Sequence, residues 1–228
     1  MRSVPVFTLL FACLLCACSY HSRLPRGLYT SSKQPVIQKR VLVVSDKFFQ
    51  EQFVFKDYHE KNAVHSYTID VKDGVLTATA EALSEVFSLV EVNPASTASD
   101  YDLVVQAEYH ITDGRSDSTD SVQWLSYSQV PFLQTSVQLT FYMPQGDEVY
   151  AGYAIRKNRV ELNNKTAVAQ RAETSGTALL IPITAPIYTQ QMGDALKYTL
   201  GRDLAQCLRE IIEDLPVNNF QQEQNYVK

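Results

Sequence analysis

Residues 134–156 read QTSVQLTFYMPQGDEVYAGYAIR, and their pattern decides the fold. In the first arm Val137, Leu139, Phe141 and Met143 alternate with mostly polar neighbours. That two-residue period places successive side chains on opposite faces of a strand. Pro144-Gln145-Gly146-Asp147 supplies turn chemistry, and in the arm that follows Val149, Ala151, Tyr153 and Ile155 share a face. The pattern predicts an antiparallel hairpin. Just upstream, residues 101–111, YDLVVQAEYHI, put Leu103, Val105, Ala107, Tyr109 and Ile111 on one face of a further strand.

Farther out, residues 36–44, VIQKRVLVV, are β-branched and end in an apolar run, which indicates a strand with a buried end. In the polar and aromatic stretch 45–67, Phe48, Phe49, Phe53 and Phe55 suit a short strand or a loop folded back on the core. After Asp73-Gly74, the spacing of Leu76, Thr79, Leu83, Val86 and Phe87 predicts an amphipathic helix over 75–87, with Glu81 and Glu85 on its other side. Residues 89–92 read as a short strand ending at Asn93-Pro94, and 112–121 as a polar loop. A second helix spans about 194–215, with Leu196, Leu200, Leu204, Cys207, Leu208, Ile211, Ile212 and Leu215 in one apolar stripe and Pro216 as its stop. Before it, residues 179–188, LLIPITAPIY, carry Pro182 and Pro186, which point to an edge or crossover over the core, or to an exposed apolar lip.

This order of elements predicts an α+β domain over residues 36–215, a mainly antiparallel sheet with two principal helices packed on one face, followed by a polar tail, 216–228. At the level of fold the plan resembles small periplasmic envelope domains such as the amino-terminal domain of TolB.

The first 20 residues differ in composition from all that follow. Arg2 precedes an uncharged apolar run over 4–17, the layout of a signal peptide. Its length of about 14 residues falls short of the roughly 20 that a membrane-crossing helix needs. Leu15-Cys16-Ala17-Cys18 resembles the bacterial lipoprotein signal, in which Leu, a tolerant position and a small residue precede the cysteine that is lipidated. The resemblance implies a signal peptide over 1–17, acylation of Cys18 with palmitate among its acyl chains, and a lipid anchor. Ser19, in place of an aspartate after the cysteine, implies the outer membrane, on its periplasmic side. Leu10-Phe11-Ala12-Cys13 fits the same pattern but would shorten the apolar core to about nine residues. Residues 18–35, polar and broken by Pro25, Gly27 and Pro35, then read as a tether holding the domain roughly 20 Å from the acyl chains.

Cleavage before Cys18 removes Cys13 and Cys16, leaving Cys207 as the one free thiol and no internal disulfide. It also removes Arg2, so the formal charge of −5 becomes −6. A modestly acidic chain with short, scattered basic groups argues against a nucleic-acid partner.

No chemical motif rises above this background. His21, His59, His65 and His110 form no H-E-x-x-H and no pair at helical spacing, and a catalytic zinc needs about three convergent ligands. His59-Glu60 with His65 could converge only through folding that the sequence does not reveal. Asp70, Asp73, Asp113, Asp117 and Asp120 offer carboxylates for calcium or glycoside cleavage, but residues 113–120 lack the spacing and closing glutamate of an EF-hand loop and read as a solvated loop. G-x-S-x-G and the phosphate-cradling P-loop are both missing. The expectation is a noncatalytic protein with no catalytic residues, metal or cofactor.

Residues 121–132, SVQWLSYSQVPF, gather Trp124, Leu125, Tyr127 and Phe132, natural anchors for a protein partner if exposed. The leading expectation is therefore an envelope lipoprotein whose tethered domain binds protein partners in a periplasmic or outer-membrane assembly. A carrier of lipid or another apolar ligand would instead need a cavity between the sheet and the 194–215 helix. An envelope hydrolase would need a recessed cluster of His, Asp and Ser.

Overall fold

A computed structural model describes residues 19–30, 34–59, 62–92, 98–114, 132–160 and 181–221. Eight strands lie in two sheets. The smaller holds β1 (Ser19–Arg23), β3 (Gln52–His59) and β4 (Asn62–Asp70) in the order β1-β4-β3. The larger holds β2 (Ile37–Ser45), β5 (Phe87–Val92), β6 (Leu103–Gly114), β7 (Phe132–Tyr142) and β8 (Glu148–Arg159) in the order β5-β2-β6-β7-β8. The antiparallel pairings are the long ones: β3 with β4, β6 with β7, and β7 with β8. Shorter parallel ladders join β2 to β5 and β6, and β1 to β4. The helices are α1 (Lys72–Leu83), α2 (Ile181–Glu213) and the short α3 (Val217–Gln221).

The α+β class and its two principal helices are as the sequence predicts. The β7–β8 hairpin turns at Pro144–Asp147, where Gly146 takes φ +103°, a left-handed conformation that glycine adopts without strain. The expected strand face of β6 is buried along its length, from Leu103 to Ile111. Local expectations are settled or changed in three places. The aromatic stretch is a true hairpin: β3 buries Phe53 and Phe55 while Phe48, before it, is exposed. The helix ends at Leu83, so Phe87 opens β5 instead of closing α1, and Glu85 is buried in the turn between them. The polar tail begins with α3, whose Phe220 packs against Phe87 and Phe141 with ring centroids 5.7 and 5.6 Å away.

The largest difference concerns the stretch read as a tether. Residues 19–23 form β1, parallel to β4 from Ser19 opposite Ser66 to Arg23 opposite Asp70. Leu24 N–H then donates to the Asp70 carbonyl at 2.8 Å. Tyr20, Leu24 and Tyr29 are buried, so three large side chains in a polar-looking segment suffice to order it.

α2 packs against both sheets, on β7 and β8 of the larger and on β1 and β4 of the smaller. Met192, Leu196, Leu200, Leu204, Cys207, Leu208 and Ile211 form its buried stripe, at the three- and four-residue spacing of one helix face. The helix starts 13 residues earlier than its expected bound of 194. Residues 181–188 are thus helical rather than an edge or crossover. Pro182 lies in the first turn, where a backbone N–H would have no intrahelical acceptor, so its missing donor costs nothing there.

Candidate functional site

β8 is the last strand of the larger sheet, and its two faces differ. Tyr150, Gly152 and Ala154 point toward α2; Gly152 lies so close to it that a Cβ there would meet Ile211 Cγ2 at 2.6 Å. On the opposite face Val149, Tyr153 and Ile155 are exposed, Tyr153 by 61% and Ile155 by 44%. Tyr153 stands opposite Gln138 and Ile155 opposite Ser136. Farther along the same face of β7 is the half-buried Phe132, with Lys157 Nζ 5.9 Å from its ring centroid. A row of apolar side chains at a sheet edge is suited to receive another protein. Of the sequence-predicted anchors Phe132 belongs to this face, whereas Trp124, Leu125 and Tyr127 lie outside the described residues, as does Cys18.

Two surface clefts flank the segment after β1. One, of about 510 Å³, is lined by Arg23, Arg26 and Lys72 with Glu51, Asp70 and Asp73. Its charges are already matched: Arg23 with Asp70 at 3.7 Å, Arg26 with Asp73 at 3.9 Å, and Lys72 with Glu51. The other, of about 390 Å³, runs along the outer side of α2 between Leu28 and Tyr198, with Pro25, Gly201 and Ala205 in its wall. Neither lies between the sheet and α2, where a carrier's cavity was expected.

Beneath α2 is a buried polar group. Asp203 has no solvent exposure; Asn158 Nδ2 donates to its Oδ1 at 2.7 Å and Arg202 Nε lies 3.4 Å away. Burial pushes its carboxyl above the usual value of 3.8, against the pull of Asn158 and the arginines. Nearby, Cys207 lies within 4.0 Å of the Thr135 carbonyl, and burial pushes its thiol up to about 12. A thiol so placed stays protonated and unreactive.

The histidines are dispersed. His65 Nδ1 pairs with Thr189 Oγ1 at 2.9 Å, His21 with Asp70 at 3.2 Å and His110 with Glu108 at 2.8 Å. Of the carboxylates weighed as a site, Asp70 and Asp73 share the first cleft while Asp113 is on β6 in the other sheet; Asp117 and Asp120 are outside the described residues, as is Glu60. Among the described residues, no three His, Cys, Asp or Glu side chains converge to hold a metal ion.

The chain matches no protein-family model and no curated protein. Among solved structures it is similar to a Xanthomonas campestris protein of the family DUF330, with 10% identity over 79% of this chain and 94% of that one and a TM-score of 0.38. A putative neuraminyllactose-binding hemagglutinin homolog from Helicobacter pylori is similar at 10% identity, over 83% and 99%, with a TM-score of 0.34. The rare lipoprotein B of Shewanella oneidensis is similar at 13% identity, over 70% and 95%, with a TM-score of 0.27. Likenesses at that level leave function to be read from the chain itself.

Proposed function

We propose that this chain is a noncatalytic lipoprotein of the bacterial envelope, anchored in the outer membrane through lipid on Cys18, whose domain binds a protein partner. The observation that carries the anchor is the sequence Leu15-Cys16-Ala17-Cys18 placed directly before a folded strand. With β1 beginning at Ser19, the domain is held against the bilayer surface instead of hanging from a tether. The partner's contact is the β8 edge, Val149, Tyr153 and Ile155, continued by Phe132. Two large aromatic side chains beside an aliphatic pair provide the kind of anchor on which binding energy concentrates.

Mass spectrometry of the mature amino terminus tests the anchor: a diacylated or triacylated Cys18 is expected. An unmodified start beyond residue 18, or full membrane retention of Cys18→Ser, would overturn it. For the contact, a photoreactive side chain at position 153 in native envelopes should trap one discrete protein, lost in Ile155→Glu. An unchanged crosslink in that variant, or none in the wild type, would sink the surface. Recovery of a specific lipid with the purified protein would replace partner binding with transport.

A further inference from the structure

Three contacts fix where the chain enters the domain relative to α2. Thr189 Oγ1 meets His65 Nδ1 at 2.9 Å, and His65 adjoins Ser66, the partner of Ser19. Tyr20 Oη donates to Asp194 Oδ1 at 2.9 Å, and its ring lies where a Cβ on Gly193 would come within 2.5 Å. Leu28 reaches Gly201. β1 and the segment after it therefore run beside α2 in the same direction, with Ser19 level with about Thr189.

The eight helical residues before Thr189 project beyond that level. At 1.5 Å per residue, residues 181–188 extend about 12 Å past the point where the chain enters. They project at the end from which the apolar run 4–17, or the lipid that replaces it, departs. Their sequence, IPITAPIY, is uncharged, and the first charged residue of α2 is Asp194. Ile187 is 47% exposed. Beside them the β3–β4 hairpin also runs past Ser66, four residues or about 13 Å to Asn62. By contrast, the exposed faces of the remaining helix carry Lys197, Arg202 and Arg209 among acidic neighbours. No described helix is long and apolar enough to cross a membrane, so the apolar turns suit shallow insertion at an interface.

We infer that residues 181–188 are a second membrane contact, dipping into the lipid surface beside the acylated Cys18 and fixing the domain's orientation on it. The inference rests on the lipid-anchor reading, since it is the position of the chain's entry that puts a bilayer at this end. One acyl-bearing point leaves a domain free to swivel; a second, protein-borne contact beside it removes that freedom.

The test uses the lipidated full-length protein on phosphatidylcholine–phosphatidylethanolamine vesicles, spin-labelled at Ile187→Cys or, in the turn at the other end of the molecule, at Gln145→Cys. Cys207, buried and protonated, stays unlabelled. The collision rate with oxygen relative to that with an aqueous nickel complex should be several-fold higher at position 187 than at 145. Equal, water-like ratios on protein that floats with the vesicles would overturn this contact and leave the anchor standing. Failure of the lipidated protein to float would sink both. Where Cys18→Ser keeps partial flotation, Ile187→Asp should abolish it, and a double variant that floats as well as Cys18→Ser would count against the contact.

Discussion

The two faces of the β7–β8 hairpin are built from neighbouring residues and do opposite things. One face, Val137, Leu139, Phe141, Gly152 and Ala154, closes against α2 with no room for a methyl group at Gly152. The other, Val149, Tyr153 and Ile155, keeps apolar surface in water. The contrast separates residues that hold the fold from residues available to a partner, and it can be broken by measurement.

The largest effect belongs to the packed side. Leu204→Ala empties a fully buried position and should cost about 2–5 kcal/mol, read as a lower urea midpoint with unchanged slope. Gly152→Val should cost about 1–3 kcal/mol by overpacking. Part of that should return in the double variant with Ile211→Ala, because the two sites share one gap.

Asp203→Asn acts through pH. The folded state holds Asp203's proton more firmly than the unfolded chain does, so its contribution to stability is complete below the ordinary value of 3.8 and is lost as pH rises through the raised folded value. Asn should abolish that component. In denaturation curves compared across acidic pH, the wild type's stability relative to the variant should fall as pH rises. A constant difference would mean that Asp203 is not the buried acid described here. Cys207, pushed up to about 12 by burial, should resist alkylation at pH 8 in the native state and react fully in denaturant.

The smallest effect should be Tyr153→Ala or Ile155→Ala, each within about 0.5 kcal/mol of wild type in stability, with Ile155→Ala also weakening the position-153 crosslink. A loss as large as that of Leu204→Ala would show that this face is covered core and end the comparison.

The hairpin and the α2 stripe were legible because both express local periods in the chain. The side that Val149, Tyr153 and Ile155 face was not. It depends on register, with Val137 opposite Ala154 and a bulge at Tyr142 shifting the pairing, and one residue of slip exchanges the faces. Nor could the sequence reveal the parallel ladder of β1 on β4, a pairing across some 47 positions with no turn to announce it. Pro182 disguised the start of α2, since a proline tolerated in a first turn looks like a helix breaker when read alone. The site has the same limits: Phe132 was identified from composition, whereas its neighbours on β8 required the register.

β1 also has a mechanical meaning. A pull on the amino-terminal end of the chain is transmitted into Ser19 along the strand axis, while the bonds joining β1 to β4 lie across that axis. Load is therefore shared in shear by the whole ladder and by Tyr20's grip on Asp194, instead of opening the bonds one at a time. Under such a load the strand at the amino-terminal edge of the described residues resists as a unit.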